Sequence, residues 1–164
     1  MEKILSLLRN NARLSNAELA VMLGMSEAEA AAKVKALEKE GIIKGYLTIC
    51  NESKVENAPV HAMIELKVSP MKELGFQDIA NRVVALEAVD SVYLMAGDYD
   101  LAVFVKGKTM QEVATFVAKR LATLDSVLST STHFILNKYK EDGIILEDGS
   151  TQDIRSTLKS EWVP

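Results

Sequence analysis

Two helix-start signals eleven residues apart leave the first fifty residues few ways to fold. Ser15 is followed three residues later by Glu18, and Ser26 by Glu29. In each pair the hydroxyl can accept a free first-turn N–H while the carboxylate reaches back to the serine amide. Gly24 stands between them, where a helix opened at Ser15 must stop. The first of these helices carries Leu19, Met22 and Leu23; the second, ending at Gly41, turns Ala30, Val34 and Leu37 inward. A preceding short helix over residues 2–10 offers Ile4, Leu5, Leu7 and Leu8 as its own apolar stripe. Helix, helix, sharp turn at Gly24-Met25, helix, then the apolar run Ile42, Ile43, Gly45, Tyr46, Leu47, Ile49 is the order of a winged helix-turn-helix. There the second helix braces the third, whose outer face enters a major groove about 12 Å wide. Three such helices also build domains that contact only protein, and the pattern alone leaves both uses open.

The period then changes. Residues 51–59, Asn-Glu-Ser-Lys-Val-Glu-Asn-Ala-Pro, are polar and end in proline, the composition of a linker. Residues 61–68 alternate as a strand does, and residues 75–85 place Phe76, Ile79, Ala80, Val83 and Val84 at helical spacing. Residues 89–95 return to strand composition, Gly97-Asp98-Tyr99-Asp100 turns the chain, and residues 101–105 are apolar enough for a buried strand. Thr109 with Glu112 opens another helix, carrying Val113, Phe116, Val117 and Leu121 inward, and residues 127–136 supply a last strand. Strand, helix, strand, strand, helix, strand is the split arrangement of a ferredoxin-like fold, with both helices on one face of a four-stranded sheet. Val92 and Leu94 against Val89, Tyr93 and Met95 put apolar groups on both faces, so the uncovered face is expected to meet another chain. The expected organisation is therefore α+β: a winged helix-turn-helix over 1–50, a linker over 51–59, a ferredoxin-like domain over 60–140, and an acidic extension over 141–164. That extension holds six Asp/Glu against two Lys/Arg and contains Trp162.

Composition narrows the chemistry. The chain of 164 residues is 48% hydrophobic, enough for a real core, and its single cysteine cannot close an intrachain disulfide. The absence of any long apolar stretch points to a cytoplasmic protein with no membrane segment. The net charge of -4 divides unevenly: residues 1–50 hold seven Lys/Arg against six Asp/Glu, and residues 51–164 hold 12 against 17. DNA contact would therefore rest on placed cations rather than bulk charge. No enzyme constellation appears. His61, His133 and Cys50 lack partners at ligand or triad spacing, and there is no phosphate-cradling glycine loop, so neither catalysis, metal nor cofactor is expected.

Two groups of residues are left to carry function. On the third helix the outward positions include Glu27, Ala28, Ala31, Ala32, Lys35 and Lys39, with Lys33 near the edge; these, with Arg9, Arg13 and Lys44, are the cations available to phosphates. The Gly97–Asp100 turn packs two carboxylates and a phenol between two strands. It can offer a carboxylate to an ammonium group and backbone N–H groups to a carboxylate, the pairing a zwitterionic amino acid needs. A plain solvated hairpin is the alternative. Thr130 and Thr132 share a face with Phe134 and either close a small polar pocket or serve as ordinary strand formers.

These residues together resemble the Lrp/AsnC (leucine-responsive/asparagine, or feast/famine) family of transcriptional regulators. The resemblance runs through Asn10-x-Ala12-Arg13-Leu14-Ser15-Asn16-x-Glu18-Leu19-Ala20, Leu23-Gly24-Met25-Ser26 and Glu40-Gly41-Ile42-Ile43-Lys44-Gly45-Tyr46. It resumes at Gly97-Asp98-Tyr99-Asp100 and at Thr130-x-Thr132-x-x-Ile135-Leu136, and covers roughly residues 2–140. It implies a regulator that binds double-stranded DNA and responds to an amino acid or similar small effector. The dimer forms through the sheets and often assembles into tetramers or octamers. Carried over, Ser26, Lys33 and Lys35 fall to the recognition helix and DNA, and Gly97, Asp98, Asp100, Thr130 and Thr132 to the effector; the outward cations Lys39 and Lys44 join the DNA set, and Tyr99 of the same turn joins the effector set. The family usually has Pro or a small polar residue at Glu27, Val at Ala30 and Arg at Lys33, so the recognition helix here is unusually rich in alanine. A second reading keeps the sensor and gives the helix-turn-helix to protein contacts.

Overall fold

The computed structural model describes residues 1–69 and 75–146. It divides into two compact units, Met1–Ile49 and a second beginning at Cys50.

The first unit holds α1 (Glu2–Asn10), α2 (Asn16–Leu23) and α3 (Glu27–Lys39). Both capping boxes form: Ser15 N donates to Glu18 Oε2 at 2.7 Å and Ser26 N to Glu29 Oε2 at 2.8 Å, while each serine hydroxyl accepts the N–H three residues on. Two glycines end the helices the same way. Gly24 (φ +65°) and Gly41 (φ +69°) take the left-handed conformation, and the next residue's N–H reaches back, Met25 to Ala20 O at 3.1 Å and Ile42 to Leu37 O at 2.9 Å. The box at Ser15 sets the rotation of α2 so that Leu19 and Ala20 are buried, whereas Met22 is turned to solvent beside Val21. Ile4, Leu8, Leu19, Ala20, Ala30 and Leu37 form the core. The apolar run after Gly41 carries no strand. Ile43 packs on the core, Tyr46 Oη donates to Glu38 Oε1 at 2.9 Å, and Leu47 is exposed. The next strand-forming segment already pairs within the second unit, so this run has no partner strand within the described chain.

The second unit runs β1 (Val60–Val68), α4 (Gly75–Val84), β2 (Val89–Leu94), β3 (Leu101–Gly107), α5 (Met110–Phe116) and β4 (Val127–Ile135). The strands pair antiparallel in the order β2-β3-β1-β4, the ferredoxin-like topology. Register explains the layering. Ala62, Ile64 and Leu66 lie opposite Val105, Val103 and Leu101, and this face buries against Ile79, Val83, Val113, Val117 and Leu121 from the helices. Fully burying each such aliphatic side chain contributes about 1.5–3 kcal/mol. The helix read as continuous through Leu121 changes after Phe116 into a π turn, Val117–Leu121, in which Ala122 N bonds Val117 O at 2.9 Å. The extra residue per turn still buries both Val117 and Leu121.

The other face carries no helix among the described residues. Met63 and Glu65 of β1, Phe104 of β3, Tyr93 of β2 and His133 of β4 lie on it, with Tyr93 and Phe104 edge to face at 5.9 Å. Val92, by contrast, packs on the core. Past Asn137, the segment assigned to the acidic extension begins as ordered structure: β5 (Lys140–Glu141) and β6 (Ile144–Ile145) form a hairpin. Its two-residue turn, Asp142-Gly143, has φ of +45° and +88°, the geometry an Asp-Gly pair favours. Leu146 is buried beyond it. The rest of the extension, residues 147–164 including Trp162, lies outside the described residues. No helix among the described residues is long and apolar enough to cross a membrane.

Candidate nucleic-acid interface and effector turn

Helical geometry decides which cations of α3 face outward. With Ala30 and Leu37 fixed in the core, successive 100° steps put Ala28, Ala32, Lys35 and Lys39 on the opposite face. Lys35, Lys39 and Lys44 are all exposed. Lys33 is exposed as well but sits on the flank, where it lines a groove of about 370 Å³ against α1, together with Met1, Lys3, Ile4, Met25 and Glu40. Ser26, at the start of the helix, is committed to the cap, its hydroxyl donating to Glu29 Oε2 at 2.7 Å. The two box carboxylates are held below the ordinary glutamate value. The cause is first the bond from the serine amide, then that from the serine hydroxyl. Tyr46 is pushed up, by desolvation first and by its bond to Glu38 second. That bond ties the segment after α3, including Lys44, to the flank of the helix.

The Gly97–Asp100 turn joins β2 to β3, and its two carboxylates are not equivalent. Asp100 Oδ2 accepts the Val68 N–H at 2.8 Å, Asp100 N donates to Leu66 O at 3.0 Å, and Asp100 O accepts Met95 N–H at 2.8 Å. Asp100 thus fastens the turn to β1. Gly97 and Asp98 are exposed, and Tyr99 is half-buried. Asp98 is therefore the carboxylate of this turn that faces solvent. Leu66 pairs with Leu101 on one side and Thr130 on the other, so the turn and Thr130 share one end of the sheet. They lie two strand spacings apart, about 9.6 Å. Thr132 follows opposite Ile64, and both threonines, half-buried, lie on the helix-covered side with Phe134.

Sequence spacing gave no partner for the histidines, and the fold supplies one for each, from the turn before β1 for His61 and from β1 itself for His133. His61 Nε2 lies 2.9 Å from Glu52 Oε2, and His133 Nε2 lies 3.2 Å from Glu65 Oε1. Lys106 pairs with Asp90 at 2.7 Å, and that contact, ahead of the more distant Glu52, raises its pKa. No group of three or more metal-ligating side chains occurs among the described residues.

Comparison with known proteins matches both units. The family described as Lrp/AsnC ligand binding domain matches residues 61–145, and that described as winged helix-turn-helix DNA-binding matches residues 2–44. An uncharacterized HTH-type transcriptional regulator of Bacillus subtilis, YugG, is 44% identical over 148 residues, covering 90% of this chain and 89% of its own. The leucine-responsive regulatory protein of Haemophilus influenzae is 28% identical over 88% of this chain and 86% of its own. Among solved structures, a transcriptional regulator of Neisseria meningitidis in complex with L-Met superposes with a TM-score of 0.68 at 26% identity. It covers 85% of this chain and 89% of that one.

Proposed function

The chain belongs to the Lrp/AsnC family of transcriptional regulators, and from that premise we propose how its own residues divide the work. It is a DNA-binding regulator that responds to a small effector. Lys35 and Lys39, with Lys44 and the two α1-region arginines Arg9 and Arg13, contact phosphates. Ala28 and Ala32 lie against the groove floor, where methyl groups meet thymine methyls. Lys33 is a secondary contact at the flank, and Ser26 acts through the cap.

The effector is an amino acid with an apolar side chain, for which L-Met is the first probe, since a 26%-identical relative is solved with it. Asp98 receives the ammonium group, and backbone N–H groups of the Gly97–Tyr99 turn receive the carboxylate. Thr130 and Thr132 line the far side, and Asp100 holds the turn in shape. A homodimer forms through the open sheet face and assembles further, placing turns of different protomers side by side; the protein acts in the cytoplasm and is not an enzyme. The observation that carries this reading is the solvent-facing Asp98 beside an Asp100 already satisfied by backbone.

Gel-shift titration of random-sequence-selected duplexes against competitor DNA, with and without L-Met, tests it. A preference over competitor that shifts with L-Met or another amino acid is expected; no preference at low salt refutes DNA recognition. The second reading, protein contact, draws on the exposed Val21 and Met22 beside the alanine-rich helix. It requires that Lys35 and Lys39 be dispensable.

A further inference from the structure

The polar segment after Cys50 is fastened to the far end of the described chain. Asn51 Nδ2 donates to the Leu146 carbonyl, while Asn51 Oδ1 accepts Ser53 N–H at 3.1 Å and so forms the 3₁₀ turn Glu52–Lys54. Glu52 then meets two side chains directly. His61 Nε2 is 2.9 Å and Lys138 Nζ 3.4 Å from Oε2, and Lys106 across the same face feels its charge. Lys138 also bonds Glu141 Oε1 at 3.2 Å, and Leu146 N donates to Tyr139 O at 2.9 Å. His61 and Lys138 are largely covered, with side chains 17% and 24% exposed. A pair so placed is less screened than an exposed one.

We propose that Asn51 and Glu52 are the latch of a clasp, closed by residues 138–146, that fixes where the connector leaves the sensor unit and so limits the reach of the DNA-binding unit. The clasp gives the start of the C-terminal extension a role. With it closed, the chain is tethered at Asn51, two residues after the first unit ends at Ile49. With it open, residues 51–59 become free chain that extends up to about 30 Å. That is close to one turn of DNA, about 34–36 Å, which separates the half-sites of a dimeric helix-turn-helix protein. A closed clasp therefore makes binding selective for half-site spacing, and an open one relaxes it. The role in spacing rests on the DNA-binding reading above; the clasp itself does not.

The test uses the full chain and three variants, N51A, E52Q and K138M. Amide exchange without DNA or effector is expected to rise at least tenfold at Lys54 and Val55 in N51A and E52Q. Tryptic cleavage after Lys54 is expected to accelerate in parallel, with the core amides of Ile64 and Val103 unchanged as the fold control. K138M is expected to raise exchange at Lys54 and Val55 as well, and E52Q with K138M is expected to do less than the sum of the two alone, because they share the Glu52–Lys138 contact while K138M also removes the bond to Glu141; full additivity overturns that contact as part of the clasp. Unchanged exchange at Lys54 and Val55, or an equal rise at Ile64 and Val103, overturns the clasp. On selected duplexes whose half-sites are moved by five base pairs, the wild type is expected to lose at least tenfold in affinity and E52Q less than threefold. Equal losses overturn the reach argument. If no variant or wild-type protein binds any duplex while the exchange result holds, the clasp stands and the DNA-binding reading falls.

Discussion

Replacing the two carboxylates of the Gly97–Asp100 turn one at a time separates structure from ligand. The Asp100 carboxylate is bonded at 2.8 Å to the N–H of Val68, a residue only 5% exposed. A hydrogen bond to a charged group contributes about 1.5–3 kcal/mol, and an orphaned buried N–H costs about 1–3 kcal/mol. Asp100→Ala removes the acceptor and leaves that N–H facing a methyl group, so a loss of about 2 kcal/mol is expected. For a unit of this size that lowers Tm by roughly 10 °C. Asp100→Asn keeps an amide oxygen in the same place and loses the charge, so about half that cost is expected. Asp98→Asn touches no hydrogen-bond or ion-pair partner among the described residues and stays within about 0.5 kcal/mol of the wild type, while effector affinity falls at least tenfold.

Urea denaturation followed by circular dichroism, at one protomer concentration because assembly shifts apparent stability, measures the first pair. Calorimetric titration with L-Met measures the second. The reasoning fails if Asp100→Ala is as stable as the wild type, because the bond to Val68 would then do nothing. It fails equally if Asp98→Asn binds the effector normally while Asp100→Asn, still folded, does not, since that assigns the ammonium contact to the other carboxylate.

Salt titration of DNA affinity sorts the cations of α3: Lys35→Ala and Lys39→Ala each flatten the log K against log salt slope by about 0.9 for each protomer bound, and Lys33→Ala by clearly less. Ser26→Ala costs about 1 kcal/mol of stability through the lost cap, read by thermal melting, and the DNA defect that accompanies it is recovered at low temperature. The box carboxylate of Glu29 is depressed below the ordinary value near 4.5 by Ser26. Its stabilising contribution is therefore present above that value and disappears as pH falls through the lower folded one; Glu29→Gln, which cannot titrate, shows a flatter acid limb in the pH dependence of Tm. Gly24→Ala forces a left-handed φ of +65° on a side chain and costs about 1–2 kcal/mol, also read as Tm.

What was legible in the sequence was what is local. A serine and a glutamate three apart settle a cap within one turn, a glycine settles a stop, and an unbroken apolar run of five residues settles a buried strand; Ser15, Ser26, Gly24, Gly41 and residues 101–105 all act within the span in which they are read. Even here the third box is half-made. Thr109 Oγ1 accepts the Glu112 N–H, but the Glu112 carboxylate reaches Lys108 N rather than the threonine amide. The site was legible only as a place. Whether Asp98 or Asp100 is open to a ligand depends on a bond to Val68, 32 residues away, and no spacing rule carries that information. Residues 51–59 have a linker's composition, yet Asn51 is paired 95 residues on, with Leu146. A polar segment reads as free chain because polar side chains bury little, but their hydrogen bonds can fasten it as firmly as apolar burial would. The hairpin that leads to Leu146 does have a local signal, the Asp142-Gly143 pair, but such a pair specifies a tight turn and says nothing of the bond to Asn51. Long-range polar contacts therefore decide both which turn carboxylate is left facing solvent and where the segment after Cys50 is fastened.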